Sequence, residues 1–203
     1  MQQRGQIFVI TAPSGTGKTT IIRAVRENVS GIGYSVSHTA RKPRDGEVEG
    51  KHYHFVTRKD FEKMIDVHHF VEWAQVYGHL YGTSYSSMES ELSSGEDLLL
   101  DLDIQGAEAI KRHFPESLSI FILPPSMEVL GERLRGRATN DKDNVDLRMK
   151  KAAEEIRRCG EYDFIVVNDD LVQTAREIEA IILSQRARAK RRYPLIQDIF
   201  HLR

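Results

Sequence analysis

The stretch TAPSGTGKTT at residues 11–20 constrains the fold more than any other part of this sequence. It nearly matches the phosphate-binding pattern GxxxxGK followed by Ser or Thr. Gly17, Lys18 and Thr19 fill the last three fixed places, and Ala12 stands where the first glycine belongs. Such a loop connects a strand to the start of a helix, where free backbone N–H groups attract phosphate. The stretch therefore predicts a strand, a nucleotide-binding loop and a helix, in that order.

Hydrophobic periodicity predicts the elements around this loop. β-Branched, aliphatic and aromatic runs predict strands at 6–11, 34–38, 53–56, 98–103, 119–123 and 164–167. Apolar residues at helical spacing predict helices over 18–28, in DFEKMI after Thr57, in SSMESELSS before Gly95, in GAEAIKRHF before Pro115 and over 145–159. Strands that alternate with helices predict an α/β fold, with a parallel sheet covered by helices on both faces.

Two segments depart from this alternation. Residues 34–84 are rich in strands, and EWAQVYGHLYGTS predicts a hairpin that turns at Gly78 and His79. We expect a small antiparallel insertion here, with Trp73 in its core. Residues 135–144, RGRATNDKDN, are polar without an apolar period, which predicts a mobile loop between two helices.

Composition excludes several classes of protein. A chain of 203 residues with 40% hydrophobic residues can bury the core of a single domain. No apolar run reaches the roughly 18 residues of a membrane span, so we expect a cytoplasmic protein without a membrane partner. The net charge of −1 gives no field that favours nucleic acid, and the basic run at 186–192 is interpreted as a solvated helix end. One cysteine excludes an internal disulfide, and the eight histidines lack zinc-site spacing.

The loop residues have distinct expected roles. Backbone N–H groups should converge on the phosphates from Ser14, Gly15, Thr16, Gly17 and Lys18. The Lys18 ammonium should reach the β and γ phosphates, and the Thr19 hydroxyl should bind Mg²⁺. Ala12 is compatible with the loop if its backbone is extended, which the following Pro13 favours.

A carboxylate from a neighbouring strand is expected near the magnesium ion. Strand alternation in DLLLDLD places Asp101 and Asp103 on one face, with Leu100 and Leu102 on the other. Acidic residues at the end of an aliphatic strand are unlike core residues, and either carboxylate could face the metal. The sequence leaves that choice open.

The insertion carries a second set of candidate binding residues. Two arginines and two tyrosines suit a compact dianion such as a monophosphate, because guanidinium groups bind two oxygens at once and phenols donate single hydrogen bonds. They are Arg41, Arg44, Tyr53 and Tyr81. Alone, this pattern is also typical of a solvated turn.

The chain resembles the guanylate kinase family along nearly its whole length. The stretches that carry the resemblance are APSGTGKTT, SVSHTARKPRDGEVEGKHYHFV, EWAQVYGHLYGTS, DLDIQGA, IFILPPS, ERLRGR and IVVNDD. The resemblance implies a P-loop kinase that phosphorylates GMP, and dGMP, with ATP and Mg²⁺. It also implies a core at 1–33, 85–127 and 160–203, a GMP-binding insertion at 34–84 and a lid at 128–159, with a homo-oligomer possible. Ala12, Ala40 and Ala138 depart from the family pattern.

The same resemblance assigns roles to individual residues. It places Arg41, Arg44, Tyr53 and Tyr81 on the GMP phosphate, with Glu47 supporting the arginines. It places Ser37, Glu72, Thr83 and Asp101 on the guanine, and Asn168 near the adenine of ATP. It implies that the lid closes over the transferring phosphate with Arg133, Arg137 and Arg148.

The chemistry of guanine independently favours this acceptor. Guanine presents N1–H and N2–H as adjacent donors, so the Glu72 carboxylate can accept both, while the Ser37 and Thr83 hydroxyls donate to O6. Adenine would leave these groups unpaired. A sugar kinase or a kinase for another nucleotide would not need this trio. A protein-binding module of the same fold could dispense with the phosphate loop that is present here.

Overall fold

The computed structural model describes residues 4–33, 35–76, 78–137 and 142–201, with backbone alone for 76, 137 and 142–144. The strands are β1 (Ile7–Thr11), β2 (Ile32–Gly33), β3 (His38–Thr39), β4 (His54–Phe55), β5 (Phe70–Val76), β6 (His79–Ser84), β7 (Asp97–Asp101), β8 (Leu118–Leu123) and β9 (Phe164–Val167). The helices are α1 (Lys18–Asn28), α2 (Arg58–Asp66), α3 (Tyr85–Ser93), α4 (Ile104–His113), α5 (Met127–Arg137), α6 (Lys142–Arg157), α7 (Leu171–Arg186) and α8 (Ala189–Phe200). A short 3₁₀ helix covers Cys159–Glu161.

A five-stranded parallel sheet forms the centre of the fold, in the order β2-β7-β1-β8-β9. All five residues of β1 are buried, as expected for a strand covered on both faces. One face packs on α1 and α7 through residues such as Phe8 and Ile178. The other packs on α3 and α4 through residues such as Val9 and Ile110. The predicted α/β architecture is confirmed.

A second sheet of four strands, in the order β4-β3-β6-β5, lies on a small core of its own. Helix α2 supplies Phe61, which stacks on Phe70 at 4.4 Å between ring centroids. The predicted antiparallel insertion is confirmed for the pairs β3–β6 and β5–β6, and one further pair, β3–β4, is parallel. The connection over 40–53 is long enough for the crossover that a parallel pair requires.

Two predicted elements in this region are displaced. Residues 35–37 belong to no strand, although 34–38 was predicted as one, because the chain there passes from the parallel sheet to the small sheet. The hairpin pairs Val76 with His79, so His79 belongs to β6 and not, as predicted, to the turn with Gly78. Trp73 is 49% exposed, which contradicts its predicted place in the core.

Further corrections concern the ends of elements. Strand β7 ends at Asp101, and Asp103 caps α4 by accepting the Gly106 N–H at 2.9 Å, so strand alternation does not relate the two carboxylates. Residues 135–137 and 142–144, predicted as loop, are helical, and 138–141, including Ala138, lie outside the described residues. No helix in the described ranges is long and apolar enough to cross a membrane.

The basic C-terminal run is only partly solvated. Arg186 pairs with the buried Asp97 at 2.7 Å and also donates to the Ser30 and Gly31 carbonyls. Arg191 donates to the Arg4 carbonyl and lies 3.5 Å from Asp97. These contacts attach the C-terminal helices to the edge of the parallel sheet where β7 begins.

Candidate active site

The phosphate loop runs from the end of β1 to the start of α1. Gly15 and Gly17 have φ values of +94° and +101°, a region that side-chain-bearing residues rarely adopt. Ala12 is not among the residues with positive φ, so alanine at the first motif position is unstrained. The loop conformation therefore depends on the two glycines that the sequence retains.

Side chains from distant segments hold the back of this loop. The buried Asn168, directly after β9, donates from Nδ2 to the Thr16 carbonyl at 2.6 Å. The Arg133 guanidinium on α5 donates to the carbonyls of Thr16 and Asn168 at 3.3–3.4 Å. Arg148 on α6 donates to Ser14 Oγ at 2.7 Å. Two of the three predicted lid arginines thus lie at the loop, while the side chain of Arg137 is outside the described residues.

Lys18 lies where α1 faces the carboxyl end of β7. Its Nζ pairs with Asp101 Oδ1 at 2.6 Å and donates to the Leu102 carbonyl at 2.9 Å. Asp103 lines a pocket of about 330 Å³ in front of the loop, together with Thr19 and Glu155. Asp101 lines a neighbouring, larger cleft with Thr19. Thr19 therefore shares one cavity with Asp101 and the other with Asp103.

Glu155 was not anticipated from the sequence. It lies on α6, and burial raises its pKa, partly opposed by Lys151 and Lys18. An acidic residue on a charged helix gives no local signal of such a position. Glu155 reaches the loop pocket through the packing of α6, which a local sequence pattern does not predict.

Ser37, Glu72 and Thr83 come together in one hydrogen-bonded chain. Thr83 Oγ1 donates to Glu72 Oε1 at 2.8 Å, and Ser37 Oγ lies 3.3 Å from Thr83 Oγ1. The β5–β6 register places Glu72 opposite Thr83. Burial raises the pKa of Glu72, partly opposed by the hydrogen bond from Thr83. The three residues line a cleft of about 630 Å³ that also contains Thr19 and Asp101.

The predicted phosphate residues form a second cluster, around Arg41. This side chain is buried, and its Nη atoms donate to both Glu47 oxygens at 2.8 and 2.7 Å. Its Nε donates to Tyr81 Oη at 3.2 Å, and its guanidinium lies over the Tyr53 ring at 5.4 Å. The Arg44 N–H also donates to Glu47, at 2.7 Å. These hydrogen bonds to Arg41 and the Arg44 N–H lower the pKa of Glu47 to about 2.

Comparison with known proteins agrees with this arrangement. The protein-family model for guanylate kinase matches residues 4–185. The chain belongs to the guanylate kinase family. The guanylate kinase of Shewanella violacea is 47% identical over 187 residues, which cover 92% of this chain and 90% of the relative. That of Geobacter sulfurreducens is 41% identical over 202 residues and covers 100% of both chains.

Solved structures of this family share the fold. The crystal structure of guanylate kinase from Anaplasma phagocytophilum has a TM-score of 0.67 and 33% sequence identity, and the match covers 100% of this chain and 98% of that chain. The resemblance to the guanylate kinase family seen in the sequence is thereby confirmed. It places this chain among the nucleoside monophosphate kinases.

Proposed function

We propose that the protein phosphorylates GMP, and dGMP, to the diphosphate with ATP as donor. One observation carries this proposal: Ser37, Thr83 and Glu72 are linked by hydrogen bonds. They line the same cleft as Thr19 and Asp101. A base reader and a phosphate loop that share one cleft suit transfer between two nucleotides. Cytoplasmic guanine nucleotide synthesis and recycling is the role that such an activity would serve.

The base reader matches the hydrogen-bonding pattern of guanine. Ionised Glu72 accepts N1–H and one N2–H, and the Ser37 and Thr83 hydroxyls donate to O6. Thr83 donates its single hydroxyl proton to Glu72 in the structure. When guanine binds, this hydroxyl must therefore turn to O6 while the guanine N–H groups take its place on the carboxylate. Asp101, at the wall of the same cleft, is available to the second N2–H. Adenine would meet the half-buried Glu72 carboxylate with the lone pair of N1 and offer it no N–H at that position.

The cluster around Arg41 suits the phosphate of GMP. Two nitrogens of the Arg41 guanidinium donate to Glu47, so the orientation of the guanidinium is fixed before the substrate binds. Arg44 adds a second positive charge, and Tyr53 and Tyr81 supply phenol donors. Arginine pairs of this kind bind phosphate oxygens through charge-assisted hydrogen bonds.

The residues at the loop fit Mg²⁺ as the ion that accompanies ATP. A threonine hydroxyl and carboxylates are oxygen ligands that suit this ion, and Thr19 shares a cavity with each of Asp101 and Asp103. When bound with ATP, Mg²⁺ would neutralise charge on the β and γ phosphates. Asp101 also pairs with Lys18, so the lysine must leave this carboxylate to reach the phosphates. Asp103 caps α4 whether or not Lys18 stays paired with Asp101.

Transfer then requires positioning rather than a catalytic base. The GMP phosphate is itself the nucleophile, and the loop N–H groups and Lys18 hold the transferring group. Arg133 and Arg148 already lie at the loop and would meet the charge that develops on it. Asn168 supports the loop from behind, and its position near the adenine of ATP stays a prediction. Residues 34–84 and the lid at 128–159 would close over the core at 1–33, 85–127 and 160–203 and so exclude water.

The decisive experiment is an ATP-coupled assay with GMP, dGMP, AMP, UMP and CMP. We expect turnover of GMP and dGMP, and at least tenfold lower kcat/KM for the other three. Equal use of AMP and GMP would contradict the proposal. Absence of turnover with all five, together with retained binding of a protein partner, would instead favour the protein-binding module.

A further inference from the structure

The cleft that contains Ser37, Glu72 and Thr83 continues beyond these three residues. Residues of α1, β2 and β7 also line it, among them the apolar Ile22, Ile32 and Leu99 and the charged Arg23, Arg26 and Glu27. Ser35 lines the same cleft, in the segment that connects the two sheets. No role was predicted for Ser35 from the sequence.

Ser35 presents a hydrogen-bonding group that nothing else uses. The residue is only 6% exposed, and its Oγ has no hydrogen-bond partner among the described residues. The hydroxyls of Ser37 and Thr83 in the same cleft are both paired. A buried hydroxyl without a partner costs free energy. An acceptor atom of a ligand in this cleft would satisfy it.

We propose that Ser35 is a further specificity-determining residue, whose hydroxyl donates to the O6–N7 edge of guanine. This inference rests on the proposed function. Glu72 on β5 accounts for the N1–H and N2–H donors on one side of the base. Ser35 precedes Ser37 by two residues on the same segment, so it approaches from the side of O6. The ring atoms on that side, O6 and N7, are both acceptors, which match a hydroxyl donor.

The test compares Ser35→Ala with Ser117→Ala. Ser117 is the control because it is a similarly buried serine, 3% exposed, that lines a different cavity. We expect Ser35→Ala to raise the KM for GMP about three- to tenfold, the value of one neutral hydrogen bond, with the KM for ATP unchanged. Ser117→Ala should change neither KM.

Thermal unfolding separates a ligand contact from a structural role. Removal of an unpaired hydroxyl should leave the Tm of the free Ser35→Ala protein equal to or above that of the wild type, and the Tm increase caused by GMP should be smaller. An unchanged KM for GMP, an equal rise in both KM values, or a lower Tm with an undiminished GMP effect would overturn the inference. Lack of GMP turnover by the wild type would remove the proposed function, and this inference with it.

Discussion

The phosphate loop and the small four-stranded sheet are built to bind by different means. On the proposed function, the loop would bind phosphate with main-chain N–H groups, and it is shaped by Gly15 and Gly17 and held from behind by Asn168. The sheet would bind the base with side chains such as Glu72 and Thr83, which adjacent strands place opposite each other. A main-chain site tolerates an alanine at its first glycine position, but it does not select the nucleotide that accepts the phosphate. The sheet supplies that choice, so loss of either region should have a different kinetic signature.

The largest expected effect is on the loop, from Lys18→Met. The ammonium lies at the front of the loop, 2.6 Å from Asp101, and its loss removes a charge meant for the transferring phosphate. We expect kcat to fall about a hundred- to a thousandfold with every acceptor that the enzyme uses. Steady-state assays with GMP and dGMP measure this fall.

The matched control for the loop is Lys63→Met. Lys63 is an exposed lysine on α2 that pairs with Asp60, and its replacement should leave kcat within twofold of the wild type. Binding of GMP to the Lys18 variant, followed by thermal shift, should be nearly normal. A defect in Lys18→Met confined to the KM for GMP would break the proposed division between the two regions.

The second-largest kinetic effect is expected from Glu72→Gln, in the small sheet. The amide keeps the size of the side chain but presents an N–H₂ group where guanine needs an acceptor. We expect kcat/KM for GMP to fall about ten- to a hundredfold, with the KM for ATP unchanged. Glu62→Gln, at an exposed pair with Arg58, is the control. A similar rise in the KM for ATP would show that Glu72 supports the whole cleft and does not read the base.

The two regions also differ in how far the sequence predicts them. The loop is contiguous, so spacing alone located Gly17, Lys18 and Thr19 between a strand and a helix. The guanine residues were recognised from donor chemistry and resemblance, but their contact depends on the register of β5 and β6. Periodicity could not supply the contact of Asn168 with Thr16, which are far apart in the sequence.

The errors in prediction have a common physical origin. Residues 35–37 alternate like a strand, but the chain there leaves one sheet and enters another, so no neighbouring strand is available. Asp103 continues the alternation of β7 in the sequence, but the free N–H groups at the start of α4 recruit it as a cap. In both cases a tertiary or capping interaction overrides a local pattern.

The smallest expected effect again separates the two regions, this time through pH. The loop at 12–19 contains no histidine, whereas the sheet region packs His38 against His54 and His69, at 4.7 and 6.1 Å between ring centroids. Burial, and then repulsion from these two rings, lowers the pKa of His38 from 6.5 to about 4, with Glu49 opposing. Below pH 6.5, therefore, the unfolded chain binds a proton at His38 that the folded chain binds only near pH 4. The free energy of unfolding should decrease as the pH falls from 6.5 toward 4.

Thermal unfolding at pH 7 and pH 5 measures this effect. We expect the Tm of the wild type to be lower at pH 5, and His38→Gln to lose part of that decrease because glutamine does not titrate. His79→Gln is the control, because His79 is exposed on the hairpin and should keep the wild-type decrease. An identical decrease in His38→Gln would mean that acid acts elsewhere in the chain. The sheet would then be no more sensitive to pH than the loop.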